Sequence, residues 1–313
     1  MYNLPKFLEN INSRNIPFQG QYRFDEPMAD HTSFKTGGPA GLWIRPEGDC
    51  FPEYAALLLE SARNEGIPVF ILGGGANILV SDMGIEGIVL DTTGYCVPQK
   101  QFPGSNGILR FKAGMSADFA AEYAAGHGFS GLEFLAGMPG SVGGALWMNA
   151  RCYDREVADV VTEVQVLENG VFKVYSVKKE DFSYKKSPFQ AWDCLILSGS
   201  FILQERDPVQ IKKEMETFRK DREAKGHYRL PSAGSVFKNT RAFVKPVGVI
   251  IDELRLKGLS IGDAQIAPWH GNIIVNRGKA RTKEILSLIE LLENRVKMEL
   301  GLVLEREVIF IGK

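Results

Sequence analysis

The chain is poor in the residues that build special chemistry. Its 313 residues include only four cysteines and four histidines. Cys50, Cys96, Cys152 and Cys194 are scattered and form no C-x-x-C pair, which argues against a zinc site or a redox dithiol. His31, His127, His227 and His270 are as far apart, and no H-E-x-x-H occurs, so no metal is expected. No run approaches the ~20 apolar residues of a spanning helix. The N-terminus lacks the charged, apolar, small-residue order of a secretory leader. A cytoplasmic chain with free thiols and no membrane partner is expected. Charge of one sign is also lacking: 37 basic and 38 acidic side chains give a net charge of -1, so no overall field exists to hold nucleic acid. With 44% hydrophobic and 24% charged residues the chain is neither disordered nor fibrous. There is no internal repeat. At about 150 residues per domain the length allows two domains.

Glycine, by contrast, is plentiful, at 33 residues, and it is clustered. The first 200 residues alternate short β-rich runs with Gly and Pro turns. Strands are predicted at Val69–Leu72, Gly87–Leu90, Ile108–Ala113, Val160–Leu167, Val171–Val177 and Leu195–Leu203. One helix is predicted near Phe51–Glu65, with Phe51, Tyr54, Leu58 and Ala62 on one face, stopped by Gly66 and Pro68. Another starts after Ser116, a good N-cap, and stops near Gly126. The character changes after Phe201. Asp207-Pro208 opens a charged helix carrying Ile211, Met215, Phe218 and Arg222. A last helix follows Thr282, with Ile285, Leu288, Ile289, Leu292 and Val296 as its apolar stripe and Gly301 as its stop. An alternating strand, Leu302–Ile311, closes the chain. The expected domains are 1–200 and 201–313.

Two glycine loops carry the first chemical signal. Val69–Leu72 runs into Gly73, Gly74 and Gly75, followed by Ala76 and Asn77. Without side chains in the way, backbone N–H groups can close around a phosphate. No Gly-Lys-Ser/Thr follows, so this is not a Walker loop, and Ile78 stands where a dinucleotide fingerprint needs a third glycine. A formal G-x-G-x-x-G at Gly126, Gly128 and Gly131 follows a helix rather than a strand and is read as a decoy. The second loop, 135–149, repeats glycine at Gly137, Gly140, Gly143 and Gly144. Such backbone admits a flat ligand or a pyrophosphate very closely. Either loop alone is equally readable as a tight turn. Together they suggest a dinucleotide.

The second half offers a proton donor and charge. Pro231–Asn239 sets Ser235, Lys238 and Asn239 on a turn entering a strand. A hydroxyl there can donate to charge developing on a substrate, or be an ordinary turn serine. Between Arg241 and Lys283 eight basic residues face Asp252, Glu253 and Asp263, which suits an anionic ligand or a solvated basic surface. Glu307, between apolar residues, is an exposed acid or a buried working carboxylate.

In order, GGGAN (73–77), GLEFLAGMPGSVGGALWMNA (131–150), YKKSPF (184–189), SAGSVFKN (232–239), IIDELRLKGLSIGDAQIAPWHGNIIVN (250–276) and LEREVIFIG (304–312) resemble the UDP-N-acetylenolpyruvoylglucosamine reductase (MurB) family, in its compact type II form. The resemblance implies an α+β chain: a two-lobed FAD-binding domain of the vanillyl-alcohol-oxidase (PCMH) type, then a smaller substrate domain whose last strand, 302–313, returns a glutamate to the site. It implies non-covalent FAD, NADPH as reductant, and conversion of an enolpyruvyl sugar nucleotide to UDP-N-acetylmuramate for peptidoglycan. By motif position it implies Ser235 as proton donor and Glu307 and Lys185 as catalytic residues. Gly73, Gly74, Gly75, Ala76, Asn77, Gly137, Pro139, Gly140, Ser141, Gly143, Gly144 and Asn149 would surround FAD. Tyr184, Lys238, Asn239 and His270 would meet substrate. A monomer is expected. Another flavin-dependent oxidase acting on a sugar or alcohol is the alternative reading. Three positions depart from the family pattern. Lys185 replaces an arginine that grips the enolpyruvyl carboxylate, keeping charge but losing the two-pronged fork. Ala76 replaces a serine. Arg151-Cys152 replaces Gly-Ala beside the flavin loop.

Overall fold

The computed structural model describes residues 2–96, 107–239 and 243–312, and the chain separates into two compact units. The first holds Met1–Phe24, Gly41–Gly74 and Gly87–Lys220; the second holds Asp25–Ala40, Gly75–Glu86 and Asp221–Lys313. Two early stretches thus join the C-terminal third, and the long boundary falls at 220 rather than near 200. A cut by composition alone could not find this, because 25–40 and 75–86 do not differ in character from their neighbours.

In the first unit Val69–Leu72 lies parallel to Ile85–Asp91, pairing Val69 with Ile88 and Leu72 with Asp91. These two strands belong to a four-stranded sheet completed by Pro39–Pro46 and Gly20–Pro27. The helix Phe51–Asn64 buries Phe51, Tyr54, Leu58 and Ala62, as its periodicity predicts. A further helix, Leu4–Asn12, adds Phe7, Leu8 and Ile11 to the same cluster. A second sheet runs in the order Val171–Ser176, Val161–Glu168, Cys194–Ile202, Ile108–Lys112, with antiparallel pairing throughout. The helix Ala117–Gly126 packs its alanines into the core on this side. Ser116 caps it by accepting from the Phe119 N–H at 3.4 Å.

The helix Pro208–Ala224 starts as predicted, with the Asp207 carboxylate accepting from the Val209 N–H at 3.0 Å. Ile211 and Met215 enter the same core.

The second unit is built on the helix Thr282–Leu300, which buries Ile285, Leu288, Ile289, Leu292 and Val296 and ends on Gly301 at φ 67°. Its N-terminus is capped from far away in sequence: Asp82 accepts from the N–H groups of Thr282 and Lys283 at 2.8 and 3.0 Å. Against it lies a three-stranded sheet, Ser260–Ile261, Ala264–Ile266 and Ile274–Asn276. Phe34 and Leu79, from the two early stretches, are fully buried in this same core. The closing strand is shorter than predicted. Only Ile309–Ile311 is a strand, parallel to Ile78–Val80. Residues 302–308 are not a strand; they carry an isolated bridge, Arg306 to Phe237, and bury Leu304 and Val308 in the core. Among the described residues no helix is long and apolar enough to cross a membrane, and no cluster of His, Cys, Asp or Glu could hold a metal.

Candidate active site

Gly73 and Gly74, the start of the first loop, meet the second loop within the first unit. A Cβ on Gly74 would lie 2.6 Å from the Gly140 Cα, and one on Gly73 would lie 2.6 Å from the Ser141 hydroxyl. Only bare backbone allows this approach. Gly137 and Gly140 have φ of 70° and 115°, conformations that favour glycine. The entry of the second loop is fixed by Asp118, which accepts from the Gly137 N–H at 2.7 Å and from Arg219 at 2.6 Å. Gly143 N–H donates to the Ala113 carbonyl at 2.8 Å. Ser141 caps the short helix Val142–Trp147. The result is a surface of main chain with side chains withdrawn, which fits the diphosphate of a dinucleotide such as FAD.

That helix ends in a way that shapes the rest of the loop. Asn149 sits at φ 43°. Its N–H reaches the Leu146 carbonyl at 3.2 Å, and the Ala150 N–H reaches the Ala145 carbonyl at 2.8 Å, the two bonds of a Schellman turn. The Asn149 side chain is fully buried. Its amide donates to the Ser183 carbonyl at 3.0 Å and its oxygen accepts from the Ala158 N–H at 3.0 Å. Through its side chain Asn149 ties three main-chain segments together. Gln190 and Ser187 strengthen the link: both donate to the Trp147 carbonyl, at 2.9 and 2.7 Å, and Gln190 also donates to the Lys185 carbonyl at 3.1 Å. Lys185 itself stands at φ 58°. Beside it the Arg151 guanidinium lies over the Tyr184 ring, 5.6 Å from the centroid.

In the second unit the segment 235–239 is held between two others. Ser235 bridges to Ile273, and the Val236 N–H donates to the Asn272 carbonyl at 2.9 Å. The buried Asn272 side chain accepts from the Phe237 N–H at 3.0 Å and donates to the Phe237 carbonyl at 2.8 Å. On the other side the Glu307 N–H donates to the Val236 carbonyl at 2.7 Å. Ser235 and Glu307, 72 positions apart in sequence, are thus flanking neighbours of one residue, Val236. Asn77 joins them, donating to the Glu307 carbonyl at 3.0 Å. Glu307 is half-buried, between the exposed and the buried expectation.

Lys238 and Asn239 are already engaged. Lys238 pairs with Glu305 at 2.6 Å, and the Asn239 oxygen accepts from the Val247 N–H at 2.9 Å. Gly75, at φ 63°, has the His31 carbonyl where a Cβ would be, 1.9 Å away, so no other residue fits. His270 accepts from the Asn272 N–H at 3.2 Å and lies 6.1 Å, ring to ring, from His227. Burial, first, with nearby cations, lowers the His227 pKa to about 4, and burial lowers that of His270 as well. The sequence pattern did not single out this pair, since its members lie 43 positions apart.

The basic excess reads differently in three dimensions. Lys245, Lys257, Arg277 and Arg281 pair with Glu253, Asp252, Asp263 and Glu284. Half of the counted cations are therefore neutralised by their neighbours. Arg241 lies outside the described residues.

The class is that of FAD-binding oxidoreductases, and it rests on two matches. Residues 53–170 match an FAD-binding domain model, and residues 226–311 match the model of the C-terminal domain of UDP-N-acetylenolpyruvoylglucosamine reductase. The reductase of Borreliella burgdorferi is 38% identical over 317 residues, covering 99% of both chains. That of Treponema denticola is 38% identical and covers 94% of each. Among solved structures, the MurB enzyme of Thermus caldophilus matches with a TM-score of 0.76 at 32% identity, over 94% of this chain and all of that one. The chain belongs to the UDP-N-acetylenolpyruvoylglucosamine reductase family. The alternative, another flavin-dependent oxidoreductase of the same superfamily acting on a sugar or alcohol, is not favoured, since residues 226–311 match the reductase's own C-terminal domain.

Proposed function

We propose that this chain reduces the enolpyruvyl ether of UDP-N-acetylglucosamine to UDP-N-acetylmuramate at the expense of NADPH, a step of peptidoglycan precursor synthesis. The two glycine loops are read as the FAD cradle and the segment 235–239 with Glu307 as the part that serves the sugar nucleotide. FAD held by the two glycine loops would supply the hydride, drawn from NADPH, that the methylene carbon of the substrate needs. What remains for the chain is to orient the enol ether, supply one proton and stabilise developing charge. Ser235 gives its hydroxyl proton to the carbon that bears the carboxylate and recovers one from water. Glu307 offers a carboxyl group to the charge that develops beside it. Tyr184 and Lys185 face the substrate's carboxylate. The observation that carries these assignments is the pairing of Val236 with both the 272–273 segment and Glu307, which gives the serine and the acid one shared, rigid support.

The glycine residues of both loops, with Ala76, Pro139 and Ser141, take the FAD diphosphate on main chain. Lys238 and Asn239 serve the substrate through the segment they stiffen, and His270 borders it. The reaction belongs in the cytoplasm, where NADPH and nucleotide sugars are made, and the working form is a monomer. The purified protein is expected to show a flavin absorption band. NADPH should bleach it, and the enolpyruvyl nucleotide should restore it. A colourless protein that cannot be reconstituted with FAD, or a reduced flavin indifferent to the substrate, overturns the reading.

A further inference from the structure

A hydroxyl that hands a proton to carbon has to be held in place, because a misplacement of ~1 Å costs on the order of 10²-fold in rate. The chain before Ser235 does little to hold it. Gly234 stands at φ 68°, and nothing beyond its chain neighbours lies within 4 Å of where its Cβ would be. No ladder supports the segment either: Ser235 and Phe237 make isolated bridges, to Ile273 and to Arg306. What fixes the hydroxyl must come from the residues that follow it.

Those residues are held by Asn272, which belongs to the same unit. Its carbonyl accepts from the Val236 N–H at 2.9 Å. Its side chain then stands in for a neighbouring strand. The amide oxygen accepts from the Phe237 N–H at 3.0 Å, and the amide nitrogen donates to the Phe237 carbonyl at 2.8 Å. One planar amide thus takes both main-chain groups of a single residue and sets the tilt of its peptides. A carboxylate lacks the donor for this, and a hydroxyl has one atom for both tasks. Asn272 and Phe237 are both buried, so water does not replace these bonds. The Asn272 N–H, for its part, donates to Nδ1 of His270 at 3.2 Å. That bond belongs to the main chain and survives a change of side chain, so substitution at 272 probes the amide.

We propose that Asn272 is a positioning residue for the proton transfer: its side-chain amide sets the Val236–Phe237 main chain, and through it the direction of the Ser235 hydroxyl. This rests on the reading above that Ser235 is the proton donor. Asn272 acts through Ser235 and not by contact with the reacting atoms. Its loss therefore falls on the step that needs the proton, reoxidation of the reduced flavin by the enolpyruvyl nucleotide. Reduction by NADPH draws no proton from Ser235 and is spared.

The test follows both half-reactions of the FAD-loaded enzyme by stopped-flow absorbance, in the parent, Asn272→Ala, Ser235→Ala and the double variant. Asn272→Ala should slow reoxidation by about 10- to 100-fold and reduction by NADPH by less than about threefold. In the Ser235→Ala background the same substitution should slow reoxidation by less than about threefold, because no hydroxyl is left to place. A merely structural role would slow both half-reactions alike, or add in full to the serine change, and either result overturns the proposal. Asn272→Asp keeps the acceptor for the Phe237 N–H and the packing but loses the donor. It should show the same pattern at about tenfold, and it carries the test if the alanine variant does not fold. An aspartate variant reoxidised within about twofold of the parent also overturns the proposal. Ser235→Ala reoxidised at the parental rate refutes instead the donor reading on which the proposal rests.

Discussion

Replacing Asn149 by alanine is the most demanding test of the loop architecture. The residue is wholly buried, and its side chain makes two hydrogen bonds of 3.0 Å to main-chain groups. Alanine leaves the Ala158 N–H and the Ser183 carbonyl without these partners, at about 1–2 kcal/mol each. It also puts a side chain without local hydrogen bonding at φ 43°, at about 1 kcal/mol. The total, about 3–5 kcal/mol, is a large part of the 5–15 kcal/mol typical of a domain. For a domain of 150–250 residues each kcal/mol is worth about 2–4 °C, so the melting temperature should fall by about 10 °C. The assay is thermal unfolding of apoprotein and of FAD-saturated protein, since loss of cofactor alone would lower only the second. Asn149→Gly separates the two causes: it loses the bonds but relieves the backbone, and should recover about 1 kcal/mol. An alanine variant melting within about 2 °C of the parent, or glycine and alanine variants indistinguishable in the apoprotein, would refute the reasoning.

Other consequences are as direct. Gly74→Ala puts a methyl group 2.6 Å from the Gly140 Cα, so the loops must part; the protein should purify with little flavin, read as the ratio of flavin to protein absorbance. Ser235→Ala should let NADPH bleach the flavin while substrate-driven reoxidation slows by about 10²–10⁴-fold; stopped-flow traces with unchanged reoxidation would remove the serine from the donor role. His227 is neutral in the fold because burial lowers its pKa to about 4, whereas in the unfolded chain it titrates near 6.5. The unfolded state therefore binds the extra proton first as pH falls. The associated stability is complete above about pH 6.5 and is lost between there and about pH 4. Urea midpoints over that range should flatten in His227→Leu, and an unaltered slope would show that other groups set it.

Much of this could be read along the chain. The helices at Phe51, Ala117, Pro208 and Thr282 carry their own start or stop signals, and the structure keeps them within a residue or so. Val69–Leu72 with its glycine loop is equally local. What escaped is what depends on distance. The strands Gly20–Pro27 and Pro39–Pro46 interrupt no clean alternation, the former being almost wholly exposed. The helix Val142–Trp147 is hidden among glycines, and the buried hydrogen bonds of Asn149 just beyond it leave no signal in the local sequence. Arg151 stands out only as an odd residue in a motif. Its contact with the Tyr184 ring depends on bonds that no local pattern announces. Likewise Glu307 could be read as exposed or buried from an alternation that the irregular 302–308 segment does not keep, and it is half-buried.

The interleaving of the second unit bears on how the protein comes to exist at all. Phe34 and Leu79 belong to a core whose other members begin at Val236, and the Asn276 amide donates to the Phe34 carbonyl 242 positions away. On a ribosome adding about 5–20 residues per second, those early stretches wait roughly 10–50 seconds for their partners to be synthesised. Throughout that interval two apolar segments are solvent-accessible on a nascent chain. A fragment begun at residue 221 would inherit the complementary defect, a socket with nothing to fill it, and so the last third cannot be harvested as a free-standing module.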